Sequence, residues 1–157
     1  MTTKLSCDLL SVLQGRTIVT AESCTGGGIG AALTAVRGSS KSYKGGIICY
    51  TNEVKIQQLG VSAELLDRIG AVSAEVAQAM ASGVKITMHA DVAISVTGLA
   101  GPDGDEFGNP VGTVYIGYAD DHCCISKQFL FDGDRESVRS QAVKAALNLA
   151  IDQLTKQ

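Results

Sequence analysis

The segment Glu22-Ser23-Cys24-Thr25-Gly26-Gly27-Gly28 sets a hydroxyl and a thiol directly before three glycines. A polar side chain at a strand-to-helix junction of this kind lies at the carboxyl edge of an open α/β sheet, where ligands gather. Backbone N–H groups of Gly26, Gly27 and Gly28 could hold an anion there, or the oxyanion of an acyl transfer, at the positive end of a helix. A structural reading is equally open: Ser23 caps the helix and the glycines only permit close packing. Gly26, Gly28 and Ala31 also fit a loose G-x-G-x-x-A pattern, but the strand does not enter the first glycine directly, and no Gly-Lys-Ser/Thr of a P-loop follows.

The second cluster is Tyr50-Thr51-Asn52-Glu53-Val54-Lys55. With Asn52 as helix cap, Lys55 falls in the first turn, where the macrodipole disfavours a cation by about 0.3–1 kcal/mol. The same dipole, with partial burial, would lower the lysine's pKa toward the range of a general base. A solvated surface lysine is the alternative. Scarcity narrows the choice, because His89 and His122 are the only histidines, one ending an amphipathic helix and the other in a hairpin turn. A Ser–His–Asp triad is therefore disfavoured, and no ligand spacing for zinc is present. If Ser23 is the nucleophile, Lys55 is the base that remains, with Tyr50 as a candidate relay. Cys24, beside Ser23 at a helix start, is a rival nucleophile. Thr97-Gly98 ends a strand and opens the loop GLAGPDGDEFGNP, which can close over a ligand. Arg135 and Arg139, four apart on one helical face, could grip a phosphate or carboxylate.

These groups need a folded scaffold, and the composition supplies one. Of 157 residues 45% are hydrophobic and 18% charged, which is the balance of a globular domain rather than a disordered tail. Thirteen basic against sixteen acidic residues give a net charge of −3, with no basic stripe for a phosphate backbone. The absence of Trp, with only four Tyr and three Phe, leaves no base-stacking platform. Nucleic acid is thus not an expected partner. The five cysteines show neither paired nor metal-ligating spacing, so reduced thiols in the cytoplasm are expected. No signal peptide or membrane span is read.

Hydrophobic periodicity then orders the chain as one domain over 1–157. Helices are expected over 4–14, from Ile29 to Val36, from Asn52 to Leu59, over 63–69, from Ser73 onward, and from an Asp134 cap to about Leu154. Strands are expected at Thr17–Glu22, 46–51, Val92–Thr97, Gly112–Tyr118 and Cys123–Phe131, the last two as a hairpin. The order predicts a three-layer α/β/α sandwich around a mixed five- to six-stranded sheet, parallel early and antiparallel late.

Six ordered motifs, A-E-S-C-T-G-G at 21–27, Y-T-N-E-V-K at 50–55, G-A-V-S at 70–73, V-T-G-L-A-G-P-D-G at 96–104, P-V-G-T-V at 110–114 and G-D-R-x-x-V-R at 133–139, together resemble one family. It is the carboxy-terminal domain of the competence/damage-inducible protein CinA, which also occurs as stand-alone PncC-type nicotinamide-nucleotide amidases. The resemblance runs from about residue 5 to 154. It implies hydrolysis of the amide of nicotinamide mononucleotide in pyridine-nucleotide salvage, without cofactor or metal, by a cytoplasmic homodimer or larger oligomer. It maps catalytic positions onto Ser23, Tyr50 and Lys55. Thr97 and Arg139 match further site positions, and Thr25, Gly26, Gly27 and Gly98 are expected beside them at the substrate. A non-catalytic nucleotide-binding module linked to competence or DNA damage is the alternative. The resemblance does not extend to the molybdopterin-related amino-terminal domain of larger members.

Overall fold

A computed structural model describes residues 2–157. The elements run α1 (Thr2–Val12), β1 (Ile18–Glu22), α2 (Gly28–Thr34), a 3₁₀ turn (Ser39–Lys41), β2 (Tyr43–Ile48), α3 (Asn52–Leu59), α4 (Ala63–Ile69), α5 (Ala74–Thr87), β3 (Val92–Gly98), β4 (Thr113–Ala119), β5 (Cys124–Leu130) and α6 (Arg135–Thr155). The sheet has five strands in the order β2-β1-β3-β4-β5. β1 pairs in parallel with β2 and β3, whereas β3, β4 and β5 are successively antiparallel. The expected mixed sheet is therefore present, with five strands. None of the described helices is long and apolar enough to cross a membrane.

Period-two alternation divides the core between the sheet's faces. Ile18, Val92, Ile94, Val96, Val114, Ile116 and Tyr118 pack with Leu9, Ile29, Val138 and Leu147, under α1, α2 and α6. Val19, Ala21 and Ala93 point the other way and meet Leu59, Leu66, Val76, Met80 and Val84 of α3, α4 and α5. The second face is lined by small residues so that α5 can approach closely. Ser95 Oγ donates to Ala77 O at 2.5 Å. A Cβ on Gly117 would lie 2.4 Å from that same carbonyl.

Several boundaries differ from the sequence expectation, and three of them have a clear physical cause. α1 ends at Val12 rather than 14, because Gln14 and Gly15 take positive φ values of 51° and 88°. β2 occupies 43–48 rather than 46–51, since pairing with β1 starts at Ile18↔Tyr43 and ends at Glu22↔Ile48. Tyr50 therefore lies beyond the strand. Thr51, not Asn52, caps α3, its side chain accepting from Val54 N. Elsewhere Ser73 and Asp134 cap α5 and α6 as their residue types suggest.

The tight α5–sheet approach makes a testable demand on Gly117. Gly117→Ala should lower unfolding free energy by about 3 kcal/mol, from overpacking against backbone that cannot retreat. Urea denaturation measures this, and an unchanged midpoint would refute the close approach.

Candidate active site

Parallel pairing brings the ends of β2, β1 and β3 to one edge. Ser23 follows β1 and stays in register, its N–H donating to Val96 O at 3.0 Å. On the other side Cys49 N–H donates to Glu22 O at 2.9 Å, after which the chain turns through Tyr50 into α3. This turn fixes the start of α3, so that Lys55, its fourth residue, points back under the sheet edge.

Lys55 Nζ lies 3.1 Å from Ser23 Oγ, 2.8 Å from Cys49 O and 3.4 Å from Tyr50 O. The lysine is 1% exposed and Ser23 7%. The ion pairs among the described residues are Lys4–Asp8 and Lys85–Asp121, so no carboxylate neutralises Lys55. Burial lowers its pKa from 10.5, and the Cys49 and Cys24 sulfurs act the opposite way more weakly. Desolvation, expected from the sequence alongside the first-turn dipole, is the largest cause. In the neutral form the amine can donate its two N–H bonds to the carbonyls of Cys49 and Tyr50. Its lone pair is then left facing the Ser23 hydroxyl.

Glu22 builds the turn that carries Ser23. Its buried carboxylate accepts from Thr25 Oγ1 at 2.7 Å, Ile29 N at 2.8 Å, Gly30 N at 3.0 Å and Thr20 Oγ1 at 3.3 Å. Four neutral donors at a helix N-terminus are what an unpaired buried carboxylate requires. Gly26 and Gly27 take φ values of 59° and 99°, in the left-handed region that favours glycine. Arg139 braces the turn from α6, donating to Cys24 O at 3.0 Å and Thr25 O at 3.2 Å.

A cavity of about 540 Å³ opens above Ser23 and Lys55, of small-molecule size. Ser23, Lys55, Tyr50, Thr97 and Gly98 all line it, as the sequence suggests. Thr25, Gly26, Gly27 and Arg139 do not. Thr25 bonds Glu22, and Gly26 N–H is closed onto Ser23 O at 3.1 Å, which removes it as an oxyanion donor. Thr97 donates to Ala71 O at 2.8 Å, tying β3 to the loop before α5. Burial pushes the Cys24 thiol up to about 11, the reverse of what a thiolate nucleophile needs.

Glu22 has no role in the sequence expectation, although a carboxylate ending the apolar run before a glycine-rich helix start is the available signal. That expectation also pairs Arg135 with Arg139, whereas only Arg135 reaches the cavity. There its guanidinium donates to Gly101 O at 2.7 Å and to Tyr50 Oη at 3.2 Å.

The family profile described as CinA C-terminal domain matches residues 3–154. The chain belongs to the CinA C-terminal domain family. A nicotinamide-nucleotide amidohydrolase PncC from Pseudomonas putida is 48% identical over 131 residues, covering 83% of this chain and 82% of that protein. A CinA-like protein of Geobacter sp. strain M21 is 50% identical over 134 residues, which are 85% of this chain but 32% of the relative. The chain thus spans about a third of the CinA-like relatives it matches. A crystal structure of a CinA superfamily protein from Klebsiella pneumoniae superposes with a TM-score of 0.97 at 35% identity, covering 100% of this chain and 99% of that one.

The uncompensated Lys55 makes two pH trends. Its folded pKa lies below its unfolded value, so between them the unfolded state holds more protons and stability rises with pH. In urea titrations the wild type should gain stability relative to Lys55→Met as pH climbs toward 10.5. Any activity that uses the neutral amine should rise along one ionisation centred on the lowered folded pKa and level off as pH climbs toward 10.5. A flat or falling stability difference would contradict the desolvated amine.

Proposed function

We propose that this chain hydrolyses the carboxamide of nicotinamide mononucleotide to nicotinate mononucleotide and ammonia, serving pyridine-nucleotide salvage. The observation that carries the reading is a serine hydroxyl 3.1 Å from a buried, charge-uncompensated lysine amine at the floor of a cavity. It stands in a chain 48% identical to a protein named nicotinamide-nucleotide amidohydrolase.

In this mechanism neutral Lys55 accepts the Ser23 proton as Oγ attacks the carboxamide carbon. The carbonyl π pair moves to oxygen, giving a tetrahedral oxyanion. Collapse breaks the C–N bond, and the Lys55 ammonium protonates the departing nitrogen, which leaves as ammonia. The acyl-serine ester is opened by water, whose proton passes to Lys55. Ser23 is re-protonated from Lys55, and the product acid gives its remaining proton to solvent and leaves as a carboxylate. The Cys49 and Tyr50 carbonyls keep the amine aimed at Ser23 through both half-reactions.

Arg135 is the group that meets the substrate phosphate. Among the described residues Lys55 and Arg135 are the basic side chains that line the cavity, and Lys55 is the buried, neutral base at its floor. Tyr50, 59% exposed and bonded to Arg135, forms the adjoining wall. Arg139 acts through the Cys24–Thr25 backbone as a positioning residue. The same reading takes residues 1–157 as one cytoplasmic domain that self-associates as a dimer or larger assembly and acts on a small molecule rather than nucleic acid.

Ser23→Ala with an intact fold should lower ammonia release from nicotinamide mononucleotide by on the order of 10³-fold or more. Unchanged turnover would remove the serine from this role, and tight binding by the wild type without turnover would favour a binding module. Arg135→Ala should raise KM for the mononucleotide roughly 10- to 100-fold, the worth of a charge-assisted hydrogen bond. Turnover of the uncharged riboside should change little. An equal effect on both substrates would place the phosphate elsewhere.

A further inference from the structure

The loop between β3 and β4 carries a feature that amide hydrolysis does not itself require. Phe107 lines the cavity and remains 42% exposed, a large apolar ring left facing a polar site. Its position is built rather than incidental. Gly70, the residue that ends α4, has φ +79° and no side chain. A Cβ there would lie 2.5, 2.7 and 3.1 Å from Phe107 Cδ2, Cε2 and Cγ. The ring is therefore seated against the Gly70 backbone, where no other residue type would leave it room. The loop around it is fixed by Asp105, whose carboxylate accepts from Phe107 N at 3.1 Å, Asn109 N at 3.0 Å and Asn109 Nδ2 at 2.7 Å. Asn109 in turn donates to Val72 O at 3.3 Å, fastening the loop to the segment before α5.

The loop that carries this ring also brings carboxylates to the cavity wall. Asp103, Asp105 and Glu106 line the same cavity, and among the described residues none is in an ion pair. An exposed aromatic ring among unpaired carboxylates suits a flat cationic group, because the π face and the carboxylates both attract positive charge. Arg135 supplies the opposite charge within the same cavity. The two together complement a zwitterion: an anionic phosphate joined to a cationic heteroaromatic ring.

We propose that Phe107, seated on Gly70, is a specificity residue that stacks on the substrate's pyridinium ring and selects the oxidised, cationic form over the neutral dihydropyridine. This deepens the amidase reading and rests on it. Phe107 takes no part in proton transfer or bond cleavage. It discriminates by ring charge, where Arg135 discriminates by phosphate.

The test uses the full chain. Ammonia release from nicotinamide mononucleotide by the wild type is measured first. Dissociation constants for the oxidised and reduced mononucleotides are then measured by calorimetry on Ser23→Ala, which removes turnover. The oxidised form should bind roughly tenfold tighter, the factor expected of a partly desolvated cation–π contact. Adding Phe107→Leu should bring the two constants within about twofold by weakening the oxidised form selectively, since only that form gains from the π face. Phe107→Tyr, which keeps the ring, should preserve the preference. A preference unaltered by Phe107→Leu, or equal weakening of both ligands, would overturn the proposal while leaving the amidase reading intact. Absence of both ammonia release by the wild type and mononucleotide binding by Ser23→Ala would overturn the amidase reading and this inference with it.

Discussion

A primary amine without a counter-ion, buried beneath a sheet edge, governs the rest of this architecture. Lys55 Nζ is satisfied by two main-chain carbonyls and one hydroxyl, so each must be delivered to within hydrogen-bond reach. The carbonyls come from the residues that follow β2, and the hydroxyl comes from the residue that follows β1. Parallel pairing of these strands, with Cys49 N–H held on Glu22 O, is what sets their spacing. A surface lysine would tolerate drift in any of these elements. A desolvated one does not, because an unmatched buried charge is strongly unfavourable.

The hydroxyl partner has its own support, built on the opposite charge. Glu22 gathers the α2 N-terminus and the Thr25 hydroxyl around one carboxylate, while Arg139 holds the carbonyls of the same turn from α6. Ser23 is thereby presented by a backbone gripped at both its N–H and its C=O groups. Electrostatic economy is visible here, since neither Glu22 nor Arg139 bonds another charged side chain.

Local signals were legible and long-range ones were not. Ser73 and Asp134 advertise helix starts because a cap needs only its own side chain and an N–H three residues on. The hairpin of β4 and β5 is equally local, its turn closed by Asp120 accepting from His122 N and Cys123 N. By contrast the limits of β2 are set by its register on β1, and Gly45-Gly46 hide its first half from any propensity argument. Thr51 and Asn52 are both good caps, and only the exit from the strand decides between them. Ser23, Tyr50, Lys55 and Thr97 were readable as cavity residues because each stands at a strand end or helix start. Arg135 and Arg139 share a face, yet one helical turn of about 5.4 Å separates the cavity mouth from the back of the Ser23 turn. Glu22 is silent because two of its four partners lie seven and eight residues ahead, on an element whose docking is tertiary.

The bond from Arg139 to the carbonyl of Cys24 joins residues 115 positions apart. During synthesis, the amino-terminal two thirds of the molecule can acquire its sheet edge well before the helix that steadies it has emerged. The Ser23 turn lacks its α6 contacts through that interval. A prematurely ended chain would carry Ser23 and Lys55 without the guanidinium that holds the Cys24 and Thr25 carbonyls.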